Sequence, residues 1–150
     1  MAKFTFKLQS ILNLKEKLEE QKKIELGNAT TYLIQQEALL KTLQSSLEDL
    51  IDELYGKNGK SVYAKELVKL NVAIKYYEEE IQNQKEVILK AQKMVEQKRE
   101  ALNKALIEKK TFEKLKEFAL EKYFLEEQLQ ANKQLDEIIS YNQMKEVRNL

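Results

Sequence analysis

An apolar residue recurs every three or four positions along most of this chain, and that spacing limits the possible folds more than any other feature. Alternating steps of three and four form the heptad seam of a coiled coil. The first run covers residues 26–54 and is interrupted only by Gln36. Its positions are Leu26, Ala29, Leu33, Gln36, Leu40, Leu43, Leu47, Leu50 and Leu54. This part of the chain is therefore predicted to be one long helix.

The same spacing resumes after a short polar segment. Its positions are Tyr63, Leu67, Leu70, Ile74, Tyr77, Ile81, Gln84, Ile88, Ala91, Val95, Lys98, Leu102, Ala105, Lys109 and Phe112. When the chain is folded at the polar segment, the two runs mirror each other, as an antiparallel pair requires. The predicted pairs are Leu54 with Tyr63, Leu50 with Leu67, Leu47 with Leu70, Leu43 with Ile74 and Leu40 with Tyr77. We therefore predict an all-α fold in which two long helices form an antiparallel coiled-coil hairpin.

Glycines and capping residues suggest where the helices end. We expect one hairpin over residues 1–150, with helix 1 at about 5–55, a turn at 56–60 and helix 2 from about 61 to 140 or beyond. Gly56 suits the end of a helix, Thr5 or Ser10 suits the start of helix 1, and Ser61 suits the start of helix 2. The heptad phase changes by about one position between Leu18 and Leu26, as in a stutter, so the seam is expected to loosen there.

Helix 2 is expected to be longer than helix 1 and to extend beyond the part that helix 1 covers. Continuing the pairing places Glu19 opposite Lys98, Leu12 opposite Ala105 and Thr5 near Phe112. Apolar residues continue after that point, namely Leu115, Phe118, Leu120, Tyr123, Phe124, Leu125, Leu129, Leu135, Ile138 and Ile139. Uncovered apolar surface of this extent indicates a binding partner.

Composition argues against catalysis. The chain has no His, Cys or Trp, which removes the usual metal ligands, the neutral-pH proton shuttle and the thiol nucleophile. Carboxylates such as Glu78, Glu79 and Glu80 have no predicted pocket to shift their pKa. We predict a protein that is not an enzyme, with no catalytic residue, cofactor or metal. It has no apolar run of ~18 residues, so we also expect a soluble, cytoplasmic protein.

The charge distribution leaves a second function open. Residues 85–122 carry 11 basic and 7 acidic side chains, although the net charge of the whole chain is only +1. A solvated helix face explains this bias most simply, because the segment has one arginine, Arg99, and nucleic-acid sites usually use more. A helical-hairpin arm that binds nucleic acid and a generic coiled-coil adaptor remain the alternatives.

Both ends of the chain carry recognisable motifs. The first is Phe4-x-Phe6-x-Leu8-x-x-Ile11-Leu12, and the second is Lys133-Gln134-Leu135-Asp136-Glu137-Ile138. Together with the length and the predicted hairpin, they resemble the flagellar export protein family FliJ. Its members are cytoplasmic components of the type III export apparatus and are similar in shape to the central stalk of rotary ATP synthases.

The resemblance implies three partners and a location. The end that bears both termini would insert into the pore of the hexameric export ATPase FliI and activate it, the early part of helix 2 would contact the export gate protein FlhA, and the protein would escort export chaperones. It would act at the cytoplasmic face of the inner membrane. The expected ATPase contacts are Phe4, Phe6, Leu8, Phe118, Tyr123, Phe124, Leu125, Leu135, Asp136, Glu137 and Ile138. The expected gate contacts are Leu70, Ile74, Tyr77 and Ile81.

Overall fold

A computed structural model describes residues 3–57 and 63–149, and this part of the chain contains two helices, α1 (Gln9–Lys57) and α2 (Ala64–Arg148). They have 49 and 85 residues, so the second is much the longer. The predicted all-α hairpin with a longer second helix is confirmed. Helix α1 begins a few residues later than expected, and Gly56 is still helical. The predicted cap Ser61 and most of the predicted turn lie outside the described residues.

The chain divides into two compact units. The first, which we call the terminal unit, combines Met1–Glu19 with Ala105–Leu150, and the second, the central unit, is Glu20–Lys104. Contacts within each unit pair early residues of α1 with late residues of α2, which is the antiparallel arrangement. The border at Glu19 lies in the segment where the heptad phase of the sequence changes.

Burial follows the predicted seam closely in the central unit. Its buried seam residues are Leu70, Ile81, Gln84, Ile88, Ala91 and Val95, and the seam residues of α1 are all half-buried. Tyr63 is the exception, since its side chain is 81 % exposed. Tyr63 precedes the first residue of α2, so the helical periodicity does not direct its side chain into the seam.

A polar pair lies within this apolar seam. The side-chain amide of Gln84 donates hydrogen bonds of 2.9 Å to the side-chain oxygen and to the backbone carbonyl of Gln36. Gln84 is only 8 % exposed. The one interruption in the first heptad run is therefore matched by a glutamine on the opposite helix, so the buried amide of Gln84 is satisfied.

The pairing predicted toward the chain ends is wrong. The Glu19 carboxylate lies 3.8 Å from the ammonium of Lys109, not opposite Lys98, and Lys98 contacts Glu25 at 3.4 Å. Phe112 has the Lys15 ammonium 6.0 Å from its ring centre, and Thr5 is not its partner. The partner of Lys98 differs from the predicted one by six residues and the partner of Glu19 by eleven, so the offset grows toward the chain ends. A change of heptad phase in α1 shifts the pairing in this way, and the spacing alone does not fix by how much.

In this register, the first residues of the chain pack on α2 beyond Phe112. In the terminal unit, the ring of Phe4 lies 5.4 Å from the ring of Tyr123. Leu12, which was predicted to face Ala105, lines a groove with Glu113 and Leu120. The uncovered part of α2 therefore begins near residue 128, later in the chain than the sequence predicted.

Candidate functional site

Residues 3–8, which we call the extended segment, precede α1 and pack on α2 within the terminal unit, and residues 7 and 8 form the turn into α1. Along residues 3–8 the side chains alternate, with Phe4, Phe6 and Leu8 half-buried and the intervening side chains exposed. A period of two is typical of an extended chain, in which successive side chains point to opposite sides. The alternation of apolar and polar residues from Lys3 to Leu8 was a visible signal in the sequence, but the prediction placed helix 1 there.

The extended segment borders a groove of about 850 Å³ on α2. An aromatic cluster lies at this groove: Phe4 packs at a tilt of 53° on Tyr123, whose ring lies 5.7 Å from that of Phe124. Aromatic pairs at such separations stabilise a contact by about 0.5–1.5 kcal/mol beyond the area they bury. The structure thus brings together the predicted ATPase-contacting residues Phe4 and Tyr123 from opposite ends of the chain.

The remaining predicted contacts on α2 are exposed. Phe118, Phe124 and Leu125 have about 60 % of their side-chain surface accessible. We call residues 128–149 the terminal segment; all of them are exposed, including Leu135, Asp136, Glu137 and Ile138 of the closing motif. The terminal unit therefore offers a packed aromatic cluster followed by a bare helical stretch.

Between residues 135 and 147 of the terminal segment every third residue is apolar, and Leu129 and Ile139 are further exposed apolar residues outside this spacing. The residues at this spacing are Leu135, Ile138, Tyr141, Met144 and Val147, and each is 55–70 % exposed. A helix turns by about 100° per residue, so each step of three moves the apolar position about 60° around the axis. The five side chains consequently spread over about 240° of the helix circumference. Leu135 and Ile138 were predicted site residues, whereas the spacing of three was not predicted.

The four predicted gate contacts lie in the seam. Leu70 and Ile81 are buried, at 8 % and 6 % exposure, while Ile74 and Tyr77 are half-buried. Buried seam side chains hold the helices together and offer little surface to a partner. The same stretch of α2 has three exposed apolar residues on its outer side at steps of four, Val68, Val72 and Tyr76.

Several basic residues of the 85–122 stretch are held in ion pairs. In the terminal unit, Lys109 lies near Glu19, and Glu108 accepts a hydrogen bond of 3.1 Å from Lys15. In the central unit, Lys98 and Lys22 both lie 3.4 Å from Glu25. Desolvation acts to raise the pKa of Glu25, but the hydrogen bonds and charges of the two lysines outweigh it, so the pKa lies below its ordinary value.

Residues 3–57 and 63–149 contain no cluster of acidic side chains that could hold a metal ion. Over the same ranges, neither helix has a stretch long and apolar enough to cross a membrane.

The profile of the flagellar FliJ protein family matches residues 4–148. The chain belongs to the flagellar FliJ protein family. The match includes the extended segment from Phe4 onwards and nearly all of both helices. Family membership makes the chain a component of flagellar type III export, which agrees with the resemblance of its two end motifs. No curated protein sequence matches the chain significantly.

A solved structure supports the fold of this family member. It is described as a putative YscO homologue from Chlamydia trachomatis, and it is 20 % identical to this chain. The alignment covers 99 % of this chain and 100 % of the other, with a TM-score of 0.56. At this level of identity the similarity shows a shared fold.

Proposed function

We propose that this protein is the stalk of a flagellar export ATPase. Its terminal segment inserts into the pore of a hexameric FliI-type ATPase and activates it, while the central unit remains outside the ring. Family membership supports the export system, and the winding apolar side chains of the terminal segment are the observation that favours a ring as the partner.

A straight partner helix cannot contact the whole of this winding stripe. One helix packs along a stripe of about 100° on its neighbour, whereas the five side chains from Leu135 to Val147 span about 240°. An apolar stripe that winds around most of the circumference of a helix is covered fully only by contacts from several sides. Neighbouring subunits of a six-membered ring are related by a rotation of about 60°, which equals the step between successive side chains of the stripe.

The surface area of the terminal segment also favours a ring as the partner. Residues 135–147 span about 20 Å, so a helix of about 10 Å diameter offers roughly 600 Å² of lateral surface. One straight helix would cover about a third of that surface, roughly 200 Å². Specific interfaces bury about 800 Å² per partner. Only an enclosing partner approaches this value with the terminal segment alone.

We also propose a gate-binding surface and an escort role. The exposed residues Val68, Val72 and Tyr76 are better placed than the seam residues for contact with an FlhA-type gate protein. The accessible parts of the half-buried side chains of Ile74 and Tyr77 can add to this contact. This revised surface lies on the stretch of α2 that the family resemblance indicated. Escort of export chaperones, and a location at the cytoplasmic face of the membrane, are proposed from family membership.

A pair of matched triple substitutions tests the proposal. Ile138→Ser/Tyr141→Ser/Met144→Ser alters the terminal segment, and Val68→Ser/Val72→Ser/Tyr76→Ser alters an equal number of exposed apolar residues near the start of α2. Both are compared with the unaltered chain in stimulating ATP hydrolysis by the FliI-type ATPase of the same organism, after circular dichroism has verified helicity.

The first variant should require at least about ten-fold more protein for half-maximal stimulation, because it loses anchoring side chains, and the second should stimulate normally. A truncated chain ending at Glu127 should lose stimulation and remain folded. If the truncated chain stimulates as well as the full chain, the terminal segment is not the ATPase contact.

A further inference from the structure

The central unit contains an apolar groove that the proposed ATPase and gate surfaces do not include. It has a volume of about 630 Å³ and lies between α1 and α2. Ala29 and Ala91 occupy seam positions at its base, and Ala91 is only 3 % exposed. Alanine at these positions leaves open the space that a leucine would fill. Tyr32 and Met94 border the groove and are each almost half exposed.

The charged residues around the groove are unbalanced. Lys90, Lys98 and Glu25 line it, and Lys22 lies against Glu25. The single carboxylate is therefore shared by two lysines, at 3.4 Å from each. Among the described residues Lys90 has no ion-pair partner. The rim of the groove carries a net positive charge next to an apolar floor.

We propose that this groove binds an amphipathic helix of a partner protein, with an apolar stripe flanked by acidic side chains. The apolar stripe would lie over Ala29 and Ala91, and the acidic side chains would approach Lys90 and Lys98. The lining of α2 from Val87 to Lys98 spans about 17 Å, which accommodates about three turns of a helix. An amphipathic helix in an apolar groove is a recurring mode of peptide recognition.

A second copy of this chain is a poor occupant. A two-fold contact would place the same surface on both sides, so that Lys90 and Lys98 of each copy would face those of the other. Like charges at an interface oppose association. A short helix with acidic flanks has the complementary charge, and the small contact area corresponds to a weak, transient interaction.

Two designed peptides can test the charge and the location. Both are stapled helices of about four turns with the same leucine stripe, one flanked by Glu and the other by Lys, because short unstapled helices are marginally stable in water. Binding to the full chain is measured by fluorescence anisotropy. Methyl NMR locates the contact, because the chain has three methionines, of which Met94 borders the groove and Met144 lies in the terminal segment.

The Glu-flanked peptide should bind more tightly than the Lys-flanked peptide, and it should shift the Met94 methyl signal without shifting that of Met144. Lys90→Glu should weaken this binding about ten-fold at low salt and less at high salt, because the interaction is electrostatic. The matched control is Lys85→Glu, an exposed residue about 140° around α2 from Lys90 and outside the groove.

Three results would overturn the proposal. The first is that neither peptide shifts the Met94 signal, and the second is that both peptides bind equally well. The third is a Met94 shift that depends on protein concentration without peptide, which would assign the groove to a second copy. None of these measurements involves the ATPase, so their outcome is independent of the proposed stalk function.

Discussion

The buried Gln36–Gln84 pair leads to a prediction about stability and register together. Replacing both glutamines by leucine removes two hydrogen bonds of 2.9 Å, each of which contributes about 0.5–1.5 kcal/mol net. Two leucines in the same layer gain about 1.5–3 kcal/mol each when fully buried, and less here because Gln36 is only half-buried. The double variant should therefore be more stable than the natural chain by about 1–2 kcal/mol.

The same change should make the register less specific. In the natural chain, a slip of seven residues would separate the two amides and leave Gln84 buried without its partner, at a cost of about 1–3 kcal/mol. A leucine layer carries no such penalty, since the seam is apolar in either register. The glutamine pair thus lowers stability and favours one alignment.

Urea unfolding followed by circular dichroism measures the first effect. For the second, spin labels are attached through Gln35→Cys and Asn83→Cys, both exposed positions in a chain that has no cysteine of its own. The two spin labels should give one distance distribution when Gln36 and Gln84 are present. The leucine variant should show a second distance distribution, because a heptad slip moves one helix by about 10 Å along the other. A leucine variant that is less stable, or that keeps a single unchanged distribution, would refute this account of the polar layer.

Three other predictions concern single contacts. Leu50→Cys/Leu67→Cys should crosslink within the monomer under mild oxidation, and gel electrophoresis under non-reducing conditions detects it; exclusive dimer formation would contradict the pairing near the turn. A double-mutant cycle of Phe4→Ala and Tyr123→Ala should give a coupling energy of about 0.5–1.5 kcal/mol in urea unfolding, and additive effects would mean that the rings do not interact in solution. The lowered pKa of Glu25 stabilises the fold above pH 4.5, and this stability is lost as the pH falls through the lowered value. Glu25→Gln should therefore show a smaller decrease in stability between pH 6 and pH 3 than the natural chain, and equal decreases would contradict the role of Glu25.

The heptad spacing predicted most of the seam because helical periodicity directly determines which side chains lie together. Leu70, Ile81, Ile88 and Val95 are buried as expected. It did not predict the register toward the chain ends, because the change of heptad phase between Leu18 and Leu26 shifts the pairing by an amount that the spacing does not fix. The pairs that reveal the register, such as Glu19 with Lys109, are ionic, and a pattern of apolar residues gives no information about which charged side chains pair.

The candidate surfaces were predicted less completely. Phe4 and Tyr123 were both named as site residues, but their mutual contact follows from the register and from the extended chain before Gln9, neither of which the heptad spacing determines. The gate residues were expected from the family resemblance, and all four of them are seam positions. Apolar residues exposed on the outer side of the helix, such as Val72, can be identified only when the packing of the helices is known.

The extended segment at residues 3–8 covers part of α2 in the terminal unit and belongs to neither helix. Two backbone hydrogen bonds join it to the start of α1, from Gln9 to Phe6 and from Leu12 to Leu8, and its hold on α2 comes from side chains such as Phe4. Segments with so few backbone bonds open at low local free energy. Release would bare α2 around Ala119 and Tyr123, and so lengthen the uncovered helix toward the middle of the chain. If the proposed ring encloses this end of the protein, we therefore expect the position of residues 3–8 to determine how much of α2 the ring can contact.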